Sequence, residues 1–164
     1  MQGVSKREQR ITDQAQILNL LDAGKVLHLG LCVDNEPYVV PMNYGYIMEG
    51  ENLVLYLHSA VRGKKLDMIR ANPKVYFEFA TDLQPFAGAK PCQHGLAYSA
   101  VLGRGTARIV EDVEEKKQAM TVLMKTQTGK DFEFNDELVS IVAVIRIDVT
   151  EYAAKHRLLP EKLR

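Results

Sequence analysis

Residues 53–73, Leu-Val-Leu-Tyr-Leu-His-Ser-Ala-Val-Arg-Gly-Lys-Lys-Leu-Asp-Met-Ile-Arg-Ala-Asn-Pro, leave few folded arrangements open. Leu53–Leu57 is an apolar run without polar alternation, which reads as a largely buried strand. Leu66, Met68 and Ile69 recur at helical spacing and Asn72-Pro73 stops the helix, because a residue before proline is pushed out of the helical region. Between them lies a polar turn carrying His58, Ser59, Arg62, Gly63, Lys64 and Lys65. A strand that delivers a hydroxyl and cations to a helix N-terminus makes a natural anion site, since the free N–H groups and the helix dipole both favour negative charge. The alternative is that these lysines simply face solvent. Against it, cations sit poorly at the positive end of a helix unless an anion offsets the dipole.

A length of 164 residues fits one domain with a substantial core, and 46% hydrophobic with 26% charged residues is an ordinary globular composition. Lysine plus arginine equals aspartate plus glutamate at 21 each, so net charge points to neither nucleic acid nor an acidic membrane. No apolar run approaches the roughly 18 residues of a membrane span. Residues 1–10, Met-Gln-Gly-Val-Ser-Lys-Arg-Glu-Gln-Arg, are polar, lack the apolar centre of a signal peptide and read as a flexible arm, so a cytoplasmic address is expected. Cys32 and Cys92 match no metal or redox spacing; Cys32 falls in an apolar strand pattern and is expected to be a buried thiol. Cys92 and His94 have no further ligands clustered nearby, so no metal site is expected.

In chain order, Thr12 or Asp13 caps a helix to about Ala23, with Ile17, Leu18, Leu20 and Leu21 on one face and Gly24 as the stop. Leu27, Leu29, Leu31 and Val33 alternate with His28, Gly30 and Cys32 as a strand, and His28 reads as a half-buried, satisfied histidine. Asp34-Asn35-Glu36-Pro37 turns the chain into the strand 38–48, which Pro41 and Gly45 force to bulge or to lie at an edge. Val40, Pro41, Met42, Asn43 and Tyr44 there combine apolar surface, an amide and an aromatic ring, a mixture that suits a flat heteroaromatic ligand; a purely structural bulge is the alternative. Lys74–Ala80 alternates as a strand, residues 81–96 read as the one long irregular connection, and Tyr98–Val110 is a strand coiled or bulged at Gly103 and Gly105. Asp112 and Glu115 open a helix to about Thr126, Asn135 caps a short one, and Ile141–Val149 is the last strand. Six or so strands in hairpins, with helices between them, give an α+β chain, mainly β, folded as a small antiparallel barrel. Neither a Rossmann glycine motif nor a Walker loop is present.

Four stretches in this order carry a resemblance: Pro-Tyr-Val-Val-Pro-Met-Asn-Tyr-Gly-Tyr (37–46), Leu-Tyr-Leu-His-Ser-Ala-Val-Arg-Gly-Lys-Lys (55–65), Asn-Pro-Lys-Val (72–75) and Tyr-Ser-Ala-Val-Leu-Gly-Arg-Gly-Thr-Ala (98–107). The chain resembles the FMN-binding split-barrel superfamily of pyridoxamine 5′-phosphate oxidase-like proteins, and within it the nitroimidazole-resistance (Nim-type) branch. The resemblance implies an antiparallel six-stranded split β-barrel with peripheral helices over residues 11–150; the residues that follow, 151–164, read by their composition as a basic tail. The resemblance further implies a homodimer with FMN at the subunit interface and no nucleic-acid or membrane partner. Carried onto this sequence, it assigns Ser59, Lys64 and Lys65 to the FMN phosphate, with Arg62 as a further candidate and His58 beside the phosphate or facing the flavin. It places Val40, Pro41, Met42, Asn43 and Tyr44 at the edge of the isoalloxazine ring, through backbone and side chain. The activity it implies is reduction of a small, nitroaromatic substrate through FMN, with His58 as proton donor. Oxidation of pyridoxamine phosphate is not implied, because 38–46 lacks the basic residues of those oxidases and His156-Arg157 does not clearly match their C-terminal arginine–histidine pair. A protein that stores or senses FMN without turnover is the alternative from another class. A haem-binding barrel with His28, His58, His94 or His156 as axial ligand is a third.

Overall fold

The computed structural model describes residues 8–161; residues 1–7 of the expected arm and 162–164 of the expected tail lie outside the described residues. Seven strands form one antiparallel sheet: β1 (Gln9–Ile11), β2 (Val26–Val33), β3 (Glu36–Glu49), β4 (Asn52–Ser59), β5 (Lys74–Phe86), β6 (Gly95–Val110) and β7 (Ala143–Arg157). Their order is β1-β7-β4-β3-β2-β5-β6, and β6 returns to pair with β7. Strands β2 to β7 therefore close a six-stranded barrel, as expected, and β1 is a seventh strand laid on β7 through Gln9↔His156 and Ile11↔Ala154. Closure matters because an open sheet edge is a template for aggregation.

Local chemistry sets the helices. Asp13 caps α1 (Gln14–Ala23) by accepting from Gln16 N–H at 2.8 Å, and Asp112 caps α3 (Val113–Thr128) by accepting from Glu115 N–H at 2.8 Å. Gly129 ends α3 in the left-handed conformation, and Asn135 caps α4 (Asp136–Ser140). Helix α2 (Lys64–Ala71) ends at Asn72, as Asn72-Pro73 requires.

Two apolar clusters hold the barrel. The interior packs Leu27, Leu29, Tyr44, Leu55, Leu57, Phe77, Phe79, Ile145 and Ile147 under α1 and α2. Outside, α3 and α4 cover Val54, Tyr56, Val110 and Val144 with Ala119, Met120 and Val139. Strand β4 is thus buried on both faces, which explains the unalternating run Leu53–Leu57. At Gly45, a Cβ would lie 2.4 Å from Leu123 Cα, so this glycine permits the close approach of α3 to β3 rather than marking a defect in the ladder.

Several sequence expectations are decided or corrected. Of the two arrangements expected at Pro41, a bulge or an edge, the structure has the edge: β3 pairs with β2 from Val26↔Asn43 to Val33↔Glu36 without a register break. Pro41 is tolerated because Glu36–Asn43 has no second strand partner among the described residues. Half of the 81–96 stretch is strand: β5 reaches Phe86 after an irregularity between Thr81 and Gln84 where Asp82 takes φ 55°, β6 begins at Gly95, and the connection proper is 87–94. Residues 151–157 are not a tail but the far half of β7, paired with β6 up to Tyr98↔Arg157. Cys32 is exposed, because β2 turns Leu27, Leu29 and Leu31 inward and the intervening residues outward. His28 is likewise exposed, though Glu78 lies 3.3 Å from its Nδ1.

Replacing Gly45 with alanine is expected to destabilise the protein by about 1–3 kcal/mol, the usual range for overpacking. Gly30→Ala, whose Cβ would meet Tyr76 O at an ordinary 3.4 Å, is expected to be near neutral. Urea unfolding of both variants checks the contrast; equal stabilities would show that α3 does not depend on this contact.

Candidate functional site

Strands β3 and β4 pair from Glu49↔Asn52 to Tyr44↔Leu57 and then separate. Beyond that point Glu36–Asn43 stays with β2, while His58 and Ser59 stay with β7 through His58↔Val144 and Ser59↔Ala143. The barrel is split here. Two strand edges that pair no further with each other flank the opening, and residues 60–63 lead from it into α2.

The turn is built as the sequence suggests. Gly63 caps α2 with φ 143°, a conformation that side-chain-bearing residues rarely adopt, and no side chain caps this helix end. Leu66 and Asp67 N–H close onto Gly63 O at 2.9 and 3.3 Å. The N–H groups of Lys64 and Lys65 precede the first intrahelical bond and are available to an anion. Arg62 and Lys64 are exposed and Lys65 is half-buried. Ser59 Oγ donates to Ala60 O at 2.9 Å and keeps its acceptor lone pairs. Lys64 Nζ stands 4.8 Å over the ring of Tyr38 on β3, so the turn and the open stretch of β3 are tied together across the split. Sequence reasoning missed Tyr38; an aromatic residue near a hairpin turn carries no signal for a cation 26 positions away.

His58 is half-buried, and its Nδ1 is a buried polar atom with no hydrogen-bond partner. Such atoms are costly and uncommon. On β3, the outward residues are Val39, Pro41 and Asn43, while Val40 is half-buried. The side chains of Met42 and Tyr44 point into the barrel at 6% and 0% exposure. Tyr44 OH donates to Leu21 O at 2.8 Å, and burial pushes its phenol pKa far up, so it remains neutral. Asn43 is held in place by donating from Nδ2 to Lys25 O at 3.0 Å and Gln127 Oε1 at 3.3 Å. Gln127 Nε2 in turn donates to Tyr44 O at 2.7 Å.

The other histidines lie elsewhere. His28 is near Glu78, His156 Nε2 is 3.2 Å from Gln9 Oε1, and His94 is exposed in the 87–94 loop. No group of three or more His, Cys, Asp or Glu among the described residues could hold a metal ion. A cleft of about 540 Å³ beneath α3 contains Arg146, Glu49, Tyr56, Arg108 and Glu115. Its charges satisfy one another: Arg146 reaches Glu49 at 2.9 Å and Asp148 at 2.8 Å, and Arg108 reaches Glu115 at 2.6 Å. The hydrogen bond that Arg146 donates to Glu49, first, holds the Arg146 pKa above its ordinary value, and the cluster reads as structural.

A closed antiparallel barrel that splits beside a strand–turn–helix element defines a split-barrel protein. The sequence profile described as Pyridoxamine 5′-phosphate oxidase matches residues 13–156, and the chain belongs to that family. A protein of Bacteroides thetaiotaomicron, described as a candidate 5-nitroimidazole antibiotic resistance protein, is similar over 91% of this chain and 87% of its own, with 28% identity and TM-score 0.77. A flavocytochrome of Azotobacter vinelandii (16% identity, TM-score 0.74, 96% of this chain and 73% of that one) shares the fold. So does a FAD- and haem-binding protein of Mycobacterium smegmatis (13%, 0.74, 92% and 73%). An uncharacterized protein of Rhizobium meliloti (strain 1021) is 31% identical over 71 residues; the match spans 43% of this chain and 44% of that relative's length. No helix among the described residues is long and apolar enough to cross a membrane.

Because Nδ1 of His58 is buried without a partner, His58→Phe is expected to leave the ligand-free protein as stable or up to about 1 kcal/mol more stable. Thermal unfolding of the ligand-free form checks this; a clear loss of stability would mean that the nitrogen is satisfied in solution.

Proposed function

We propose that the protein binds FMN in the split between β3 and β4 and works as a flavin-dependent reductase of a small, nitroaromatic compound. The observation that carries this reading is the joining of two half-sites. An uncapped helix N-terminus with Ser59, Lys64 and Lys65 suits a dianionic phosphate, and it is tied through Tyr38 to a strand segment with one unpaired edge. That edge offers backbone donors and acceptors to the rim of a flat heteroaromatic ring, and His58 Nδ1 waits unpartnered between the two. The donor set therefore fits the cofactor.

When bound, the flavin supplies the hydride or electron transfer. The chain's own residues have narrower tasks. Lys64 and Lys65 fix the phosphate and Arg62 adds charge at the rim. The backbone of Val40–Tyr44 holds the ring edge and supplies N–H groups where negative charge develops. His58 delivers a proton to the reduced substrate. The exposed apolar side chains Val39, Val61 and Tyr76 are covered in this reading by a second copy, giving a homodimer with the cofactor at its interface. The setting is cytoplasmic, where nicotinamide donors are available.

The test is an absorbance spectrum of freshly purified protein followed by anaerobic NADH or NADPH. Flavin bands that bleach, and return on adding a nitroimidazole, are the expected result. Bands that resist every donor would reduce the function to binding, and a Soret band would replace the reading with haem. In Lys65→Ala, loss of one charge-assisted contact worth about 1.5–3 kcal/mol is expected to weaken FMN at least about tenfold. The same change should leave riboflavin, which lacks the phosphate, nearly unaffected. Equal weakening of both ligands would remove Lys65 from the phosphate site.

A further inference from the structure

A cleft of about 870 Å³ lies away from the split, between the 87–94 loop and the end of β7. We propose that it binds a small organic monoanion, a carboxylate carried on a flat apolar body. Its centre is Arg157, the last residue of β7, whose guanidinium stands 5.2 Å over the ring of Phe86 at the end of β5. Arg157 makes no ion pair among the described residues. Stacking occupies one face of a guanidinium and leaves its in-plane N–H fork free, the geometry that grips a carboxylate with two parallel hydrogen bonds.

The stack is written into the cross-strand register. Phe86 lies opposite Gly95, and a Cβ at Gly95 would sit 2.5 Å from the Phe86 ring and 2.6 Å from an Arg157 terminal nitrogen. Glycine at 95 therefore leaves the room in which ring and guanidinium meet. The facing wall is a fixed turn rather than a loose loop. Lys90 N–H donates to Gln93 Oε1 at 3.1 Å, His94 N–H closes on Pro91 O at 3.3 Å, and a Cβ at Gly88 would collide with Gln93. Phe86 and Leu158 supply apolar surface for the body of the guest, while Gln93 and His94 give polar groups at the rim. Glu161 also lines the cleft without pairing with Arg157, which disfavours a second negative charge on the guest. The site is separate from the split: Arg157 ends β7, whereas Ala143, opposite Ser59, begins it.

The experiment is backbone-amide NMR of the full chain titrated with benzoate and, in parallel, with neutral benzamide. Saturable benzoate shifts confined to residues 86–95 and 157–161, with far weaker binding of benzamide, are expected. Arg157→Gln should weaken benzoate about tenfold or more, as loss of a charge-assisted pair implies. Arg157→Lys, which keeps the charge but not the fork, should fall between the two. Lys65→Ala, which tests the phosphate site, should bind benzoate as the parent does, so failure here and failure of the flavin reading are distinguishable. Absence of saturable shifts, shifts at residues 38–65 instead, equal binding of benzamide, or an unchanged affinity in Arg157→Gln would each overturn the proposal.

Discussion

Everything distinctive in this molecule depends on where β3 lets go of β4. The last paired residue, Tyr44, is anchored from three sides: its ring is fully buried, its hydroxyl donates to Leu21 O, and its carbonyl accepts from Gln127. Asn43, next to it, is bound to Lys25 and Gln127. These bonds pull β3 toward β2, α1 and the end of α3, while His58 and Ser59 follow β7. A barrel strand cannot obey both pulls, so the ladder opens. Gly45 belongs to the same device, since its missing side chain lets α3 come close enough for Gln127 to reach the strand.

The split also explains a residue choice that otherwise looks damaging. Pro41 removes a backbone donor from a strand that should be central in a closed barrel, and β3 tolerates it because its outer edge is unpaired there. An unpaired edge normally invites another strand. Here the opening is narrowed by the link from Lys64 to Tyr38 and continues into a helix end that holds cations.

The features legible in the sequence are those fixed locally. Asp13, Asp112 and Asn135 each bond an amide three residues ahead, and Asn72-Pro73 stops a helix by sterics alone, so the helices fall close to where the pattern puts them. The barrel class follows from hairpin turns such as Asp34-Asn35, whose φ of 51° and 63° suit a tight two-residue reversal. What escaped needed long-range information. The far half of β7 carries Glu151, Lys155, His156 and Arg157, polar residues that read as a tail until β6 is seen beside them. The strand beyond Thr81 was hidden by the irregularity at Asp82, which breaks the alternation. At the site, residue types were readable but directions were not. Met42 and Tyr44 lie on the inward side of β3, a fact that depends on register and not on composition.

The electrostatics of the turn supply the remaining step. Arg62, Lys64 and Lys65 stand at or beside the positive end of α2, and the one acidic residue in its first turn, Asp67, faces Arg70 at 3.1 Å. Left alone, that arrangement is unfavourable by the dipole argument, and the buried Nδ1 of His58 adds a second unfavourable group to the same opening. An anion that binds the folded form alone stabilises it in proportion to its occupancy. In the proposed function the cofactor phosphate would offset both groups, so the residues that weaken this turn are the ones proposed to hold it.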